Sequence, residues 1–297
     1  MPKVLVALLN AEQEFQQLQA KDARDTAARL KLDLEVTFAE GHAVVQIQQL
    51  FKHIHAPEGQ RPAAIVVEAA TGEGLERVAR NAVKAGIGWI LVNGRVAYVD
   101  ELRQAHPGLP IAMLGADQRE LGRIQGRQCR ALVPGGGHVL CVQGPADSAA
   151  TIGRFEGLKE TLGADFEVRT LNGDWTEAGG EKAVVSWLRL KTAEAFRPDV
   201  VACQNDSMAL GVRKALREHR REWGSVPFLG CDGLLEGGQR MVAEGLLAAT
   251  VVTPSNTGPA LEVVARWLQS KHLPPREVVL AGRSHPPEDR IRALGSR

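Results

Sequence analysis

Val4-Leu5-Val6-Ala7-Leu8-Leu9 is a short, continuous apolar run near the start of the chain. A run of this length, made of β-branched and aliphatic residues, is typical of a strand that is buried on both faces of a sheet. A stretch of helical period follows it and continues to about Leu30. A buried strand followed by a helix is the repeating unit of a parallel sheet covered by helices, so the opening of the chain predicts an α/β fold.

The same alternation continues as far as Gly115 and predicts a first open-sheet unit of about five strands. The further strands of this unit are expected at Leu34–Phe38, Ala64–Glu68, Gly88–Val92 and Ile111–Leu114, with helices from about His42 to His55 and from Leu75 to Ala85.

After Gly115 the pattern begins again, so the sequence predicts a second unit of the same kind. A helix at Arg119–Leu132 and the turn Pro134-Gly135-Gly136-Gly137 lead into it. The remaining elements are expected as strands His138–Gln143, Glu167–Leu171, Val200–Gln204 and Phe228–Cys231, with helices Ala149–Leu162, Glu177–Leu190 and Ser207–His219.

The C-terminal part complicates a simple division into two halves. It adds a strand at Ala248–Val252, a helix from about Thr257 to Gln269 and a strand at Glu277–Ala281. One more helix and strand beyond the second unit indicate that the chain returns to the first lobe and crosses once more near Gly282.

Two doubly wound parallel-sheet lobes joined by a three-crossing hinge are therefore expected. The N-terminal lobe comprises residues 1–115 and 254–281, and the C-terminal lobe comprises residues 118–250 and 284–297. Ligands of open parallel sheets lie beyond the carboxyl ends of the strands, so a cleft between the lobes is the expected ligand site.

The composition excludes some partners. With 36 basic and 35 acidic residues among 297, the net charge is +1 and no overall field attracts nucleic acid or an anionic membrane. The basic run Arg217, Arg220 and Arg221 is interpreted as a solvated helix end.

No apolar stretch approaches the ~18 residues that span a bilayer. The apolar run Val4–Leu9 near the start of the chain is too short for a signal peptide. We therefore expect a cytoplasmic protein if Met1 is the native start, and a periplasmic one if a leader was removed or replaced by Met1.

Motifs for catalysis and cofactors are missing from the sequence. There is no GxxxxGK[ST], HExxH or GxSxG, and the loop Asn10–Glu14 after the first strand lacks the glycines of a dinucleotide site. His53 and His55 are two residues apart on a predicted helix, so we expect exposed side chains and no metal chelate. The four cysteines lack a C-x-x-C spacing and are expected to be free, buried thiols. We therefore expect no cofactor, no metal, no catalytic residue and no enzyme activity.

Polar residues recur where predicted strands end. In the first unit they are Asn10, Glu68, Asn93 and Arg95, and in the second unit they are Asp174, Trp175, Asn205, Asp206 and Asp232. Amides, carboxylates and guanidinium groups hydrogen-bond vicinal hydroxyls, and an indole packs on the C–H face of a sugar ring, so the set suits a polyol. The alternative is that Asn and Asp only terminate strands and open turns.

Three segments resemble the type I periplasmic binding proteins, especially the ribose-binding group, whose fold is shared by the effector domains of lactose-repressor-like regulators. They are Gln204-Asn205-Asp206-Ser207-Met208-Ala209-Leu210-Gly211, Gly230-Cys231-Asp232-Gly233 with the later Ala249-Thr250, and Arg154-Phe155-Glu156-Gly157. The likeness runs over nearly the whole chain and implies the periplasmic-binding-protein type I fold.

The resemblance also implies roles for individual residues. Asn205 and Asp232 would bond ligand hydroxyls, Arg154 would bond a ring or hydroxyl oxygen, and Trp175 and Phe15 would be aromatic walls. Asn93 with Arg95 would correspond to the family's strand-end Asp-Arg pair. The implied ligand-binding set is Asn10, Phe15, Asn93, Arg95, Arg154, Trp175, Asn205, Asp232 and Thr253.

This sequence departs from the family pattern at several of these positions. Cys231 stands where the family has an aromatic residue, Thr253 stands near the hinge glutamine position, and the loop Asn10–Glu14 is longer and more acidic. A smaller wall and an extra carboxylate change the size and charge of a pocket. The resemblance therefore supports binding of a sugar or polyol but does not support ribose.

Three functions follow from these expectations. The first is the substrate-binding component of an ABC-type transporter, a monomer that delivers ligand to a membrane permease. The second is a cytoplasmic ligand sensor that acts on a regulatory protein without its own DNA-binding domain, since no helix-turn-helix precedes Val4. The third is an enzyme on the same fold. An apolar leader upstream of Met1 would distinguish the first from the second.

Overall fold

A computed structural model describes residues 1–70, 74–223 and 225–291. The end of the expected C-terminal lobe, residues 292–297, lies outside this range. The strands in chain order are β1 (Lys3–Leu8), β2 (Asp33–Phe38), β3 (Ala64–Glu68), β4 (Gly88–Val92), β5 (Ile111–Ala116), β6 (Gly137–Gln143), β7 (Phe166–Asn172), β8 (Val200–Cys203), β9 (Phe228–Asp232), β10 (Ala249–Val252), β11 (Glu277–Leu280) and β12 (Arg283–His285).

Helices separate most of these strands, as in repeated βα units. In chain order they are α1 (Glu14–Leu30), α2 (Ala43–Ile54), α3 (Glu76–Lys84), α4 (Tyr98–Ala105), α5 (Gln118–Leu132), α6 (Ala149–Leu162), α7 (Glu177–Leu188), α8 (Lys191–Glu194), α9 (Asp206–His219), α10 (Arg240–Ala243) and α11 (Thr257–Ser270).

The residues group into two compact units. The first contains Met1–Ala116 and Ser255–Leu280, and the second contains Asp117–Pro254 and Ala281–Arg297, so the chain passes from one unit to the other three times. The first unit holds a six-stranded sheet in the order β11-β5-β4-β3-β1-β2, and the second holds one in the order β12-β10-β9-β8-β6-β7. The predicted fold class, two doubly wound α/β lobes connected by three crossings, is confirmed.

Alternating strand residues build a core on each face of the first sheet. Leu5 and Ile65 pack with α2, α3 and α4 on one face, whereas Val4, Val66 and Ile90 pack with α1 and α11 on the other. The second sheet follows the same pattern, with α7 and α9 covering one face and α5 and α6 the other. Because helices cover both faces, the carboxyl edges of the sheets are where loop side chains can meet a ligand.

The sixth strand of the first sheet is β11, which corresponds to the strand predicted at Glu277–Ala281 and joins the sheet beside β5. Four elements were not predicted: the helix α4, the strand β12, and the four-residue helices α8 and α10, which are too short to show a period. The helix α4 has only two buried apolar residues, Val99 and Leu102, which is too few to establish a period. The strand β12, with the sequence Arg-Ser-His, pairs antiparallel with β10 through its backbone and carries no apolar pattern.

All four cysteines are free and buried. Cys141, Cys203 and Cys231 lie on β6, β8 and β9, where they pack as small apolar side chains. Burial raises the pKa of the Cys141 thiol to about 12 and that of Cys231 to about 11. These thiols therefore remain protonated and unreactive at neutral pH.

The expectation of exposed histidines is wrong for His53, which is 7% exposed, and right for His55. The imidazole of His53 faces Glu35, with 3.3 Å between Nε2 and the carboxylate, and Glu35 also binds Lys3 at 2.8 Å. Burial lowers the pKa of His53, and this effect outweighs the opposing attraction of Glu35, while Lys3 and Lys52 act in the same direction as burial. The folded protein therefore favours the neutral imidazole.

This burial predicts a loss of stability in mild acid. The unfolded chain takes up a proton on His53 near pH 6.5, and the folded chain does so only at lower pH. The free energy of unfolding is therefore expected to be highest above pH 7 and to fall as the pH drops through 6.5. Urea unfolding at pH 7.5 and 5.5 measures this difference. In the His53→Gln variant the difference should shrink, whereas the neighbouring exposed His55→Gln should keep it. An unchanged difference in His53→Gln would assign the effect to another group.

Candidate functional site

In the first unit, a buried carboxylate lies at the carboxyl end of β3. Glu68 is 9% exposed, and its two oxygens accept hydrogen bonds from Gln16 Nε2 at 3.0 Å and Asn93 Nδ2 at 2.9 Å. The other end of the Gln16 amide accepts the backbone N–H of Leu9 at 3.1 Å. Residues at or just after the carboxyl ends of β1, β3 and β4 are thereby joined at one edge of the sheet, as expected for parallel strands.

Asn93 uses both ends of its amide on protein partners. Its Nδ2 binds Glu68, and its Oδ1 accepts from Asn256 Nδ2 at 2.7 Å. Asn256 is fixed in turn, because its backbone N–H donates to Gln19 Oε1 at 2.7 Å. Asn93 thus ties the strand edge to the segment that returns from the second unit, and it is oriented by contacts that the sequence did not indicate.

The other three predicted residues of this unit lie in loops or at a helix start. Asn10 Oδ1 accepts the N–H of Glu12 at 2.7 Å, which closes a turn of the kind that Asn favours. Phe15 is the second residue of α1 and is half-buried. Arg95 is 55% exposed and pairs with Glu277 on β11 at 2.5 Å.

In the second unit, Arg154 brings together three of the predicted residues. Its side chain is 8% exposed and its Nη1 lies 3.6 Å from Asp232 Oδ1. Its guanidinium carbon lies 5.6 Å from the centre of the Trp175 ring, within the range of a cation–π contact. The same Nη1 donates to the carbonyl oxygen of Gln204, directly before Asn205. Arg154, Asp232 and Trp175 therefore form a cluster of a cation, a carboxylate and an indole at the carboxyl edge of the sheet.

The backbone of α6 is held very close to α5, and this fixes the base of Arg154. Gly122 on α5 faces the backbone of Arg154 so closely that a Cβ there would lie 2.0 Å from its carbonyl oxygen. Gly157 on α6 faces the backbone of Arg119 in the same way, at 1.9 Å. Only glycine permits this approach. The guanidinium is then aimed by Gln118, whose Oε1 accepts from Nε at 2.9 Å.

Asp232 ends β9 in a loop that is held from two sides. Asp206, 2% exposed, accepts the N–H of Gly233 at 2.7 Å and the hydroxyl of Thr250 at 2.6 Å. The carbonyl oxygen of Asp232 accepts the N–H of Thr253 at 3.0 Å. Asp206 is therefore a structural carboxylate that fixes the position of Asp232.

Thr253 and Cys231 face one another inside the second unit. The threonine is 3% exposed, and its hydroxyl lies 3.6 Å from the thiol of Cys231. Where the family pattern has an aromatic residue before the aspartate, this chain therefore has a small, protonated thiol, that of Cys231, next to Asp232. Thr253 is packed against this thiol in the structure.

Two site residues were missed by the sequence reasoning. Gln118 orients Arg154, and Gln204, which is 1% exposed, holds the loop after β6 and the first turn of α6 through Gly144 N–H and the Thr151 carbonyl. Amide side chains on a helix or at a strand end carry no periodic signal. The motif that contains Gln204 was the only indication of its importance.

A backbone feature marks three of the predicted residues. Asn93, Trp175 and Asp232 have positive φ angles of 56°, 71° and 103°. Residues with a Cβ rarely occupy this region, and they cluster at functional sites where the surroundings hold them there. All three lie at or just after the carboxyl ends of strands. The backbone therefore supports these positions independently of the side-chain chemistry.

The described residues contain no group of three or more His, Cys, Asp or Glu side chains placed to hold a metal ion. Within the same ranges, no helix is long and apolar enough to cross a bilayer.

Comparison with known proteins identifies relatives of the sequence. It is 25% identical over 225 residues to the xylitol-binding protein of Mycolicibacterium smegmatis, covering 74% of this chain and 59% of that one. It is 31% identical over 151 residues to the ribose import binding protein of Salmonella typhimurium, covering 50% of this chain and 49% of that one. The chain thus spans about half to three fifths of the length of these curated relatives.

Solved structures share the whole fold. The periplasmic binding protein component of the arabinose ABC transporter from Shewanella sp. ANA-3 has a TM-score of 0.82 at 22% identity, with 95% of this chain and 91% of that chain covered. A periplasmic solute binding protein from Actinobacillus succinogenes, with bound D-allose, has a TM-score of 0.83 at 19% identity, with 98% and 99% covered. At this identity the likeness establishes the fold.

The family model described as a periplasmic binding protein domain matches residues 4–265 and confirms the resemblance drawn from the motifs. The chain belongs to the periplasmic binding protein domain family.

Proposed function

We propose that the protein binds a monosaccharide or related polyol through side chains at the carboxyl edges of its sheets, as the substrate-binding component of an ABC-type transporter. The observation that carries this proposal is the cluster of Arg154, Asp232 and Trp175 at one sheet edge. Asp232 is an acceptor for ligand hydroxyls, the guanidinium is a planar donor, and the indole offers an apolar face.

The first unit supports the proposal with a complementary set of groups. Glu68 and Asn93 stand at the carboxyl edge of its sheet, and carboxylates and amides are groups that hydrogen-bond the hydroxyls of a sugar. The relatives named for xylitol and ribose, and the structures with bound L-arabinofuranose and D-allose, make sugars and polyols the first compounds to test.

A membrane permease is the partner that fits this function, and the periplasm is the compartment in which the protein would meet it. Catalysis forms no part of the proposal, because binding and release of an unchanged ligand require only the hydrogen-bonding and stacking groups just described.

A thermal-shift screen over sugars and polyols tests the proposal. A ligand at about 100 times its Kd stabilises the folded state by ~2.7 kcal/mol, which raises the Tm of a protein of this size by about 5–10 °C. We expect such a rise for at least one sugar or polyol with the parent protein. The Trp175→Ala variant, tested against the same compounds, should show a much smaller rise. The proposal is wrong if no compound raises the Tm of the parent, or if parent and variant respond equally.

A further inference from the structure

Trp175 occupies an unusual backbone position. Its φ of 71° lies in the left-handed region, which a residue with a Cβ rarely adopts. It is also half-buried, whereas Trp89, Trp187, Trp223 and Trp267 are between 0% and 7% exposed. A tryptophan in this backbone conformation needs contacts from neighbouring residues that stabilise it.

The turn around Trp175 is fixed on its N-terminal and C-terminal sides. Asp174 Oδ1 accepts both the N–H of Thr176 at 3.0 Å and its hydroxyl at 2.6 Å. The indole lies against Gly144, where a Cβ would come within 2.1 Å of the ring. These contacts define where the ring lies. The backbone carbonyl of Trp175 requires a separate hydrogen-bond donor.

Asn205 supplies that donor. Its Nδ2 donates to the carbonyl oxygen of Trp175 at 2.8 Å, and its Oδ1 accepts the N–H of Met208 at 2.9 Å as the cap of α9. The residue is 6% exposed. One amide thus connects the start of a helix with the left-handed turn that carries the indole, and the two bonds use different ends of the side chain.

We propose that Asn205 is a positioning residue that sets the place of the Trp175 indole, and with it the cation–π contact to Arg154, before any ligand is present. This inference rests on the proposed function, in which the indole is a wall of the ligand site. It differs from the role that the motif resemblance implies, a direct bond to ligand hydroxyls. Here Asn205 acts through Trp175.

Asn205→Asp separates the two bonds. Aspartate keeps an acceptor for Met208 N–H and is a good helix cap, but it has no N–H to offer the Trp175 carbonyl. We therefore expect the helix content and Tm to stay close to those of the parent. The indole should be released from Gly144 and Arg154, so acrylamide should quench its fluorescence about twofold more strongly in ligand-free protein.

Matched variants assign the signal to Trp175. The other four indoles are present in both proteins and are buried from acrylamide, so the difference between the parent and Trp175→Phe isolates the emission and quenching of Trp175. The double variant Asn205→Asp, Trp175→Phe should be quenched no more than Trp175→Phe alone. Asn205→Ser, which keeps a capping hydroxyl but is too short to reach the carbonyl, should repeat the effect of Asn205→Asp and serves if the aspartate variant does not fold.

Unchanged quenching of Trp175 in a folded Asn205→Asp or Asn205→Ser variant would overturn the inference. All of these measurements use acrylamide and ligand-free protein, so they give an answer even if no sugar or polyol binds. Failure of the ligand screen would contradict the proposed function, and failure of the quenching experiment would contradict the role of Asn205.

Discussion

Asp232→Ala is expected to weaken binding of a sugar or polyol by about tenfold to a hundredfold or more. A hydrogen bond to a charged group contributes roughly 1.5–3 kcal/mol, and each 1.4 kcal/mol is tenfold in affinity. The structure adds a second reason. Asp232 lies 3.6 Å from Arg154, and the side chains are only 15% and 8% exposed, so the variant leaves a largely buried cation without its nearest carboxylate.

Calorimetric titration of a ligand found in the screen measures this effect. Asp232→Asn should lose less than Asp232→Ala, because the amide keeps the size of the side chain and one acceptor oxygen. Glu218→Ala, which removes an exposed carboxylate from α9 in the same unit, should bind like the parent. If Asp232→Ala also binds like the parent, the ligand site is not at this edge of the sheet.

The positions of the candidate residues could be predicted, but their orientation could not. Asp232 and Trp175 were found because polar residues that follow buried strands must lie at the carboxyl edge of a parallel sheet. The contacts that orient them are long-range. Asn93 is held by Asn256, 163 residues further along the chain, and Arg154 is held by the carbonyl of Gln204, 50 residues away. A pattern of apolar residues along the sequence does not indicate which polar groups, far apart in the chain, form hydrogen bonds with one another.

The fold shows the same limit in its individual elements. The strands β3 and β4 and the helix α6 have the predicted bounds, because each is a well-defined apolar or amphipathic run. The three-residue strand β12 was missed, since only its backbone pairing with β10 defines it. The sequence predicted an exposed His53 from its spacing to His55 on a helix, but this spacing does not show which of the two side chains faces the sheet. In the structure the imidazole of His53 is buried beside Glu35.

Gly122→Ala is expected to destabilise the second unit by about 3 kcal/mol or more, at the upper end of what overpacking costs. The added methyl group would lie 2.0 Å from the carbonyl oxygen and 2.9 Å from the Cα of Arg154, so two backbones must separate rather than one side chain turn. The higher helix propensity of alanine offsets only about 1 kcal/mol of this. Urea unfolding measures the change.

The same displacement should weaken ligand binding, because the backbone that moves is that of Arg154 itself. A shift of α6 changes the distance from the guanidinium to Asp232 and its stacking over Trp175, so calorimetry on the folded variant should give at least a tenfold loss of affinity. Gly135→Ala is the matched control, since a Cβ at that position in the second unit meets nothing within 4 Å. Its stability and affinity should remain those of the parent. A Gly122→Ala variant as stable as the parent would mean that α5 and α6 do not pack at glycine distance, and Arg154 would then need another explanation for its fixed position.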